Sequence, residues 1–301
     1  MKKILLFATI ISVLFSSNGF AEQSTEKFDF SMQQWYKNGS FDYYLHYSNS
    51  SQVLSKVSAP QRQNMTIFKM QYNPTEKQFV RVQYGATGAG NNGRGYDLDW
   101  SIPGSSNVTD YGTMDFYGKE KMYTIDLGTE IGKSKKQVTN FFVGWGSNKT
   151  YNELRNVVYH KYNGFDIGNV GQDDNGSSLD GHFYGIRFGI ESNYKFDKKL
   201  SLDSSLILKQ LNAKAYGHWA NHTPAWNWVD TGKTWGYDVN FGLKYNCNKD
   251  TFTSIGYYYS HAKANNIDER LDEGTSVYDL TGRIDLEYVQ HGYYFALNHK
   301  F

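Results

Sequence analysis

The residues in this chain best suited to chemistry lie in Asn91-Asn92-Gly93-Arg94-Gly95-Tyr96-Asp97-Leu98-Asp99-Trp100. In an extended segment, side chains two apart leave the same face, so Asp97 and Asp99 can share a site. Two carboxylates that close do not both ionise easily; one holds its proton, and the pair can position or activate water. Other chemistries find no support. No His/Cys cluster has zinc spacing, no Gly-x-Ser-x-Gly is present, and no glycine-rich loop sits between strand and helix. Asp173-Asp174-Asn175-Gly176, followed by Asp180, lacks the spacing of a calcium loop and reads as a turn.

The elements that must hold these residues announce themselves by parity. Trp235, Tyr237, Val239, Phe241, Leu243 and Tyr245 alternate with Gly, Asp, Asn and Lys. Such a strand has one greasy face and one wet face, and lipid outside with a polar lumen inside suits both. The same parity runs through Val80, Val82 and Tyr84, through Tyr184, Ile186, Phe188 and Ile190, and through Ile255, Tyr257 and Tyr259. Tyr 25, Phe 19, Trp 7 and Gly 29 against 4 Pro is a strand-forming composition rich in girdle residues.

Four compact turns, Asn73–Lys77, Gly132–Lys136, Asp197–Lys199 and Asn246–Asp250, alternate with long polar segments near 50–62, 88–112, 150–178, 219–233 and 264–280. Four short turns and five long loops make ten strands. The predicted fold is therefore all-β, a ten-stranded antiparallel transmembrane barrel that projects above the membrane.

Tyr293, Phe295, Leu297, His299 and the final Phe301 alternate outward, like the terminal signal read by the outer-membrane assembly machinery. Lys2 and Lys3, the apolar stretch Ile4–Phe15 and Gly19-Phe20-Ala21 read as a secretory leader covering residues 1–21. Residues 22–38 are expected to form an N-terminal periplasmic segment and 39–301 the barrel, in the outer membrane of a Gram-negative bacterium. Apart from the leader, no apolar run nears the roughly 20 residues of a membrane helix. A net charge of +1 gives no argument for nucleic acid, and the single Cys247 makes no internal disulfide. The inward candidates Arg81, Asp126, Arg187, Glu191, Lys195, Asp203, Asp238 and Lys244 carry both signs, which disfavours an open general pore.

The stretch from Gln83 through Gly95-Tyr96-Asp97-Leu98-Asp99-Trp100, followed by Pro103-Gly104 and Thr109-Asp110, resembles the corresponding region of the omptins. These are ten-stranded outer-membrane endopeptidases whose site lies at the extracellular end of the barrel. The resemblance implies that Asp97 and Asp99 match the family's catalytic pair and that Asp110 lines its substrate cleft. It also implies a water-mediated attack on a peptide or protein substrate, no metal, no cofactor beyond a requirement for lipopolysaccharide, and lipopolysaccharide contacts at Trp145 and Lys149. Two departures stand out. The family pairs its histidine with an aspartate two residues earlier, whereas Tyr216 precedes His218 and Ala220 precedes His222. Asp230, or a carboxylate from another loop, is the available substitute. In Gly144-Trp145-Gly146-Ser147-Asn148-Lys149 the family's acidic member has become Ser147. Three expectations follow: an omptin-like endopeptidase using Asp97, Asp99 and His218 or His222; an inactive barrel of the same fold acting as adhesin, receptor or structural protein; and a barrel enzyme acting on lipid A.

Overall fold

The computed structural model describes residues 28–48, 50–172, 176–220 and 222–301, so the expected leader lies outside the described residues. Thirteen strands follow one another: β1 (Phe28–His46), β2 (Val53–Pro60), β3 (Met65–Tyr72), β4 (Gln78–Thr87), β5 (Gly90–Asp99), β6 (Asp110–Lys133), β7 (Gln137–Tyr162), β8 (Phe165–Gln172), β9 (Ser178–Lys195), β10 (Leu200–Trp219), β11 (Trp226–Asn246), β12 (Thr251–Asp272) and β13 (Val277–Lys300). Ten positions close into a ring. β2 with β3 and β4 with β5 are each one barrel strand broken midway, and β8 folds back on β7 outside the ring. The seam is β1 on β13, continuous from Asp29↔Lys300 to Leu45↔Ile284. Among the described residues barrel strand already runs from Phe28, where residues up to 38 were expected to lie outside the barrel, because Phe28, Phe30 and Met32 alternate outward and β1 is paired with β13 and β3 along this stretch.

The four short turns fall where the sequence placed them. Polar side chains close them by accepting from the backbone: Asp197 Oδ1 takes Lys199 N at 2.7 Å and Leu200 N at 2.8 Å, and Asn248 Oδ1 takes Asp250 N at 2.9 Å and Thr251 N at 2.7 Å. At the other end the expected long loops are mostly strand. β7 runs 26 residues to Tyr162, β12 reaches Asp272, and Asp97 and Asp99 stand on β5 rather than in a loop. Polar composition misled there because a strand above the membrane is wet on its outer face.

The outer wall divides into two bands. A lower rung runs Phe295, Ile255, Leu243 and Leu202 across β13, β12, β11 and β10, and an upper rung runs Ile125, Trp145 and Ile186 across β6, β7 and β9. Two outward rungs higher, Lys121, Lys149, His182 and Lys214 stand side by side on β6, β7, β9 and β10. Four residues of strand, about 13 Å, separate Trp145 from Lys149. The wall changes there from hydrocarbon-compatible to cationic.

Inside, the barrel is filled. A polar cavity of about 330 Å³ lies toward the periplasmic end, lined by Asp29, Lys69, Asp203 and Lys244 among others. Above it Asp126, with no exposure, lies between Arg81 at 3.1 Å and Arg187 at 3.2 Å, and Arg81 also reaches Glu191 at 2.7 Å. Lys209 pairs with Asp238, while Lys195 is exposed at the periplasmic end. Buried Glu120 pairs with Lys37 and accepts from Tyr288 at 2.6 Å, Gln290 at 2.6 Å and Asn148 at 3.0 Å. Asp126, Glu191, Asp238 and Glu120 each have a cation, as burial of a charge demands. Higher still, Phe41, Phe116, Leu154, Phe183, Trp228 and Leu286 belong to one buried apolar cluster.

Candidate functional site

Asp97 and Asp99 point inward in the half of the barrel remote from the four short turns. Asp97 stands opposite Val57 of β2 and Gly112 of β6; Asp99 stands opposite Ser55 and Asp110. Local sequence explains how β5 arrives there. Asn152 Oδ1 accepts from Gln61 Nε2 at 3.0 Å and from Asn92 Nδ2 at 2.9 Å, which fixes the point where β3 and β4 hand over to β2 and β5. Gly95 then passes so close to its neighbours that a Cβ would stand 2.1 Å from Ser58 O and 2.5 Å from Phe116 Cε2. The motif's glycine is a packing requirement of the strand that carries the acids.

Burial, reinforced by the Asp99 and Asp110 carboxylates, holds the Asp97 carboxyl well above the usual range. Burial also raises Asp99, against a hydrogen bond from Ser55. Asp97 Oδ1 is buried with no donor. Asp110 is tied elsewhere, its Oδ1 accepting from Asn163 N at 2.8 Å. It anchors the β7–β8 turn beside the pair.

The opposite wall carries a second acidic pair. Asp230 of β11 and Glu269 of β12 are cross-strand neighbours, the first with no exposure and the second 4% exposed. Tyr43 of β1 donates to Glu269 Oε2 at 2.6 Å. In the ring of ten, β11 is five strands from β5 in either direction. Burial first, and the neighbouring Glu269 second, push Asp230 well above the usual range; burial raises Glu269. The substitute carboxylate Asp230 is therefore inward, but its partner is Glu269 and not a histidine.

The histidines do not join the aspartates as expected. β10 pairs with both neighbours without a register shift to Trp219, so alternation carries His218 outward with exposed Tyr216, while Ala215 and Gly217 point in. Its Nδ1 meets Asn227 Oδ1 at 2.7 Å on the outer face. Only a bulge would have turned it inward. His222 lies beyond β10, its ring stacked on Trp226 at 3.9 Å and 4°. Trp145 is on the outer wall at the top of the apolar band, with Lys149 in the cationic row above.

Sequence reasoning missed Tyr43 and Glu269. Glu269 fell in a segment read as loop, although counting from Trp235 as outward already turns Asp230 inward and calls for a partner on the adjoining strand. It also missed β8, whose turn is Asn163-Gly164 with φ of 51° and 82°. That dipeptide is the strongest short hairpin signal, and Tyr162, Phe165 and Ile167 flank it.

No protein-family model matches this chain, and no curated protein matches it. Among solved structures, the outer membrane protease OmpT from Escherichia coli superposes with a TM-score of 0.83 over 94% of this chain and 99% of that one, at 10% identity. The translocator domain of autotransporter NalP from Neisseria meningitidis gives a TM-score of 0.40 at 10% identity over 100% of this chain and 98% of that one. The Ralstonia pickettii toluene transporter TbuX gives 0.35 at 9% identity over 92% and 90%. At such identities the OmpT likeness defines the fold alone. By that fold the chain is an outer-membrane β-barrel, and its outer wall belongs in lipid.

Proposed function

We propose that this barrel is an outer-membrane endopeptidase in which Asp97 and Asp99 hold and activate a water at the extracellular end. The observation that carries the reading is the pair itself: two carboxyls from one strand, side by side on the inward face, with one oxygen buried and undonated. Such a pair keeps one proton, so one carboxyl can accept from water while the other donates to the developing oxyanion. Peptide is the proposed substrate class on the strength of the OmpT likeness together with this pair. Asp110 shapes the floor of the cleft through the β7–β8 turn. His218, on the outer face, has no part in the proposed chemistry, and His222 is left stacked at the rim.

Lipopolysaccharide is the proposed activating partner. Trp145 marks the level of the acyl chains, and Lys149, beside Lys121 and in one row with Lys214, faces the level of the phosphates, while burial holds the His182 between them neutral. A second reading, a barrel that binds rather than cleaves, is favoured by one observation: the buried apolar cluster around Phe41, Phe116 and Trp228 includes Val57, the residue paired with Asp97, so packed side chains surround the acids. Refolding the barrel with lipopolysaccharide and exposing it to a mixed peptide library, read by mass spectrometry, decides between them. Cleavage by the wild type that disappears in Asp97→Asn is expected; an intact library at every pH tested removes the peptidase reading.

A further inference from the structure

The carboxyls on the two walls are joined by a short inward path. Val57 pairs with Asp97 on one side and with Tyr43 on the other, so the three share a rung; the Tyr43 phenol then reaches Glu269, the neighbour of Asp230. Neither Asp230 oxygen has a donor, and Trp228 Nε1, two residues earlier on the same face, is buried without an acceptor. Among the described residues no cation lies within ion-pair distance of Asp230 or Glu269. The charged and titratable groups around the pair are Tyr43 on β1 and Arg283 on β13, with Asp97 on β5 acting on Tyr43; Ala215 of β10 supplies none. Two adjacent buried carboxylates without a cation cannot both be ionised.

Resting on the peptidase reading, we infer that Asp230 and Glu269 share one proton and, through the Tyr43 rung, set the charge felt by Asp97, occupying the place opposite the aspartates that an imidazole would hold. During hydrolysis an O–H bond of the water breaks and its proton moves to Asp97 as oxygen bonds to the carbonyl carbon. When the C–N bond breaks, that proton passes to the departing nitrogen. The proton of the second pair is not consumed. It keeps that wall at one negative charge, so that Asp97 can ionise and act as a base. These two acids and Tyr43 are positioning residues. Loss of their shared proton on alkalinisation adds a charge across the lumen and returns Asp97 toward its protonated, inactive form.

Two readouts test this on the refolded full barrel. In the Asp97→Asn background, which removes the proton of the first pair, infrared spectroscopy at pH 7 is expected to show a protonated-carboxyl carbonyl band. That band should vanish on adding Asp230→Asn, which leaves Glu269 with the Tyr43 donor and Arg283, and should shift in frequency on adding Glu269→Gln, which leaves Asp230 buried without a donor. Its absence from the Asp97→Asn barrel, or its survival unchanged in both double variants, overturns the shared proton. In the Glu269→Gln single variant the alkaline limb of the cleavage profile should move up by about one pH unit; a uniform loss of rate at all pH values overturns the positioning role. A wild type that cleaves nothing yet keeps the infrared pattern would sink the peptidase reading while leaving the proton-sharing pair in place.

Discussion

The two halves of the lumen treat carboxylates in opposite ways. In the lower half Asp126, Glu191, Asp238 and Glu120 each contact a guanidinium or an ammonium. In the upper half Asp97, Asp99, Asp230 and Glu269 face one another, a phenol and apolar rings. Neutralised acids hold a fold together and are poor bases; acids left without a cation cost stability and keep a proton ready to move. That contrast, more than any motif, separates the part of this barrel that is scaffold from the part suited to chemistry.

The largest expected effects come from breaking one half at a time. Asp126→Ala strands Arg187 in the interior and leaves Arg81 with Glu191 alone, and should cost roughly 3–5 kcal/mol of stability, measured by urea unfolding in micelles. Cleavage by the fraction that folds should be unchanged. Asp97→Asn should do the reverse, lowering the cleavage rate by roughly 10²–10³-fold with no loss of stability. If Asp97→Asn unfolds the barrel, or Asp126→Ala abolishes cleavage by folded protein, the division between halves fails.

The upper half also predicts a pH dependence of definite sign. Asp97, Asp230 and Glu269 have folded-state pKa values raised by burial, so the folded barrel holds more protons than the unfolded chain between the ordinary carboxyl range and those raised values. Their stabilising contribution is complete in acid and is lost as pH rises through the folded values. Asp230→Asn, which removes the charge, should therefore stabilise the barrel at pH 8 by roughly 1–3 kcal/mol, with the gain shrinking toward pH 4. An equal effect at both pH values would mean that Asp230 does not titrate on folding. The smallest effect concerns the outer wall. Lys149→Ala should weaken binding to lipopolysaccharide vesicles by about 1 kcal/mol, with less difference at high salt, and should leave unfolding untouched.

Much of the scaffold was legible because the membrane enforces it. Trp235 through Tyr245, Ile255 through Tyr259 and Tyr293 through Phe301 must present apolar groups at every second position, and that rule gave ten strands, their parity and their short turns. Above the membrane the rule lapses. The segments around Asn91, Val157 and Ile267 face water outside and a packed interior inside, so their composition resembled loops although they are strand. That Asp97 and Asp99 share a face was legible from i, i+2 spacing, and the resemblance of the surrounding stretch singled them out as candidates. Their counterpart was not, because Asp230 and Glu269 lie 39 residues apart and meet only through the register of β11 on β12. His218 shows the converse: a residue of suitable chemistry near the right height, carried to the wrong side of the wall by unbroken alternation.

The layer around Glu120, with Lys37, Tyr288, Gln290 and Asn148 crowded on one carboxylate and aromatic packing stacked above it, corks this cylinder partway along its axis. A plug at that height parts the lower cavity from the rim, so the endopeptidase proposed above would meet its substrate and part from its products on the Asp97 side alone.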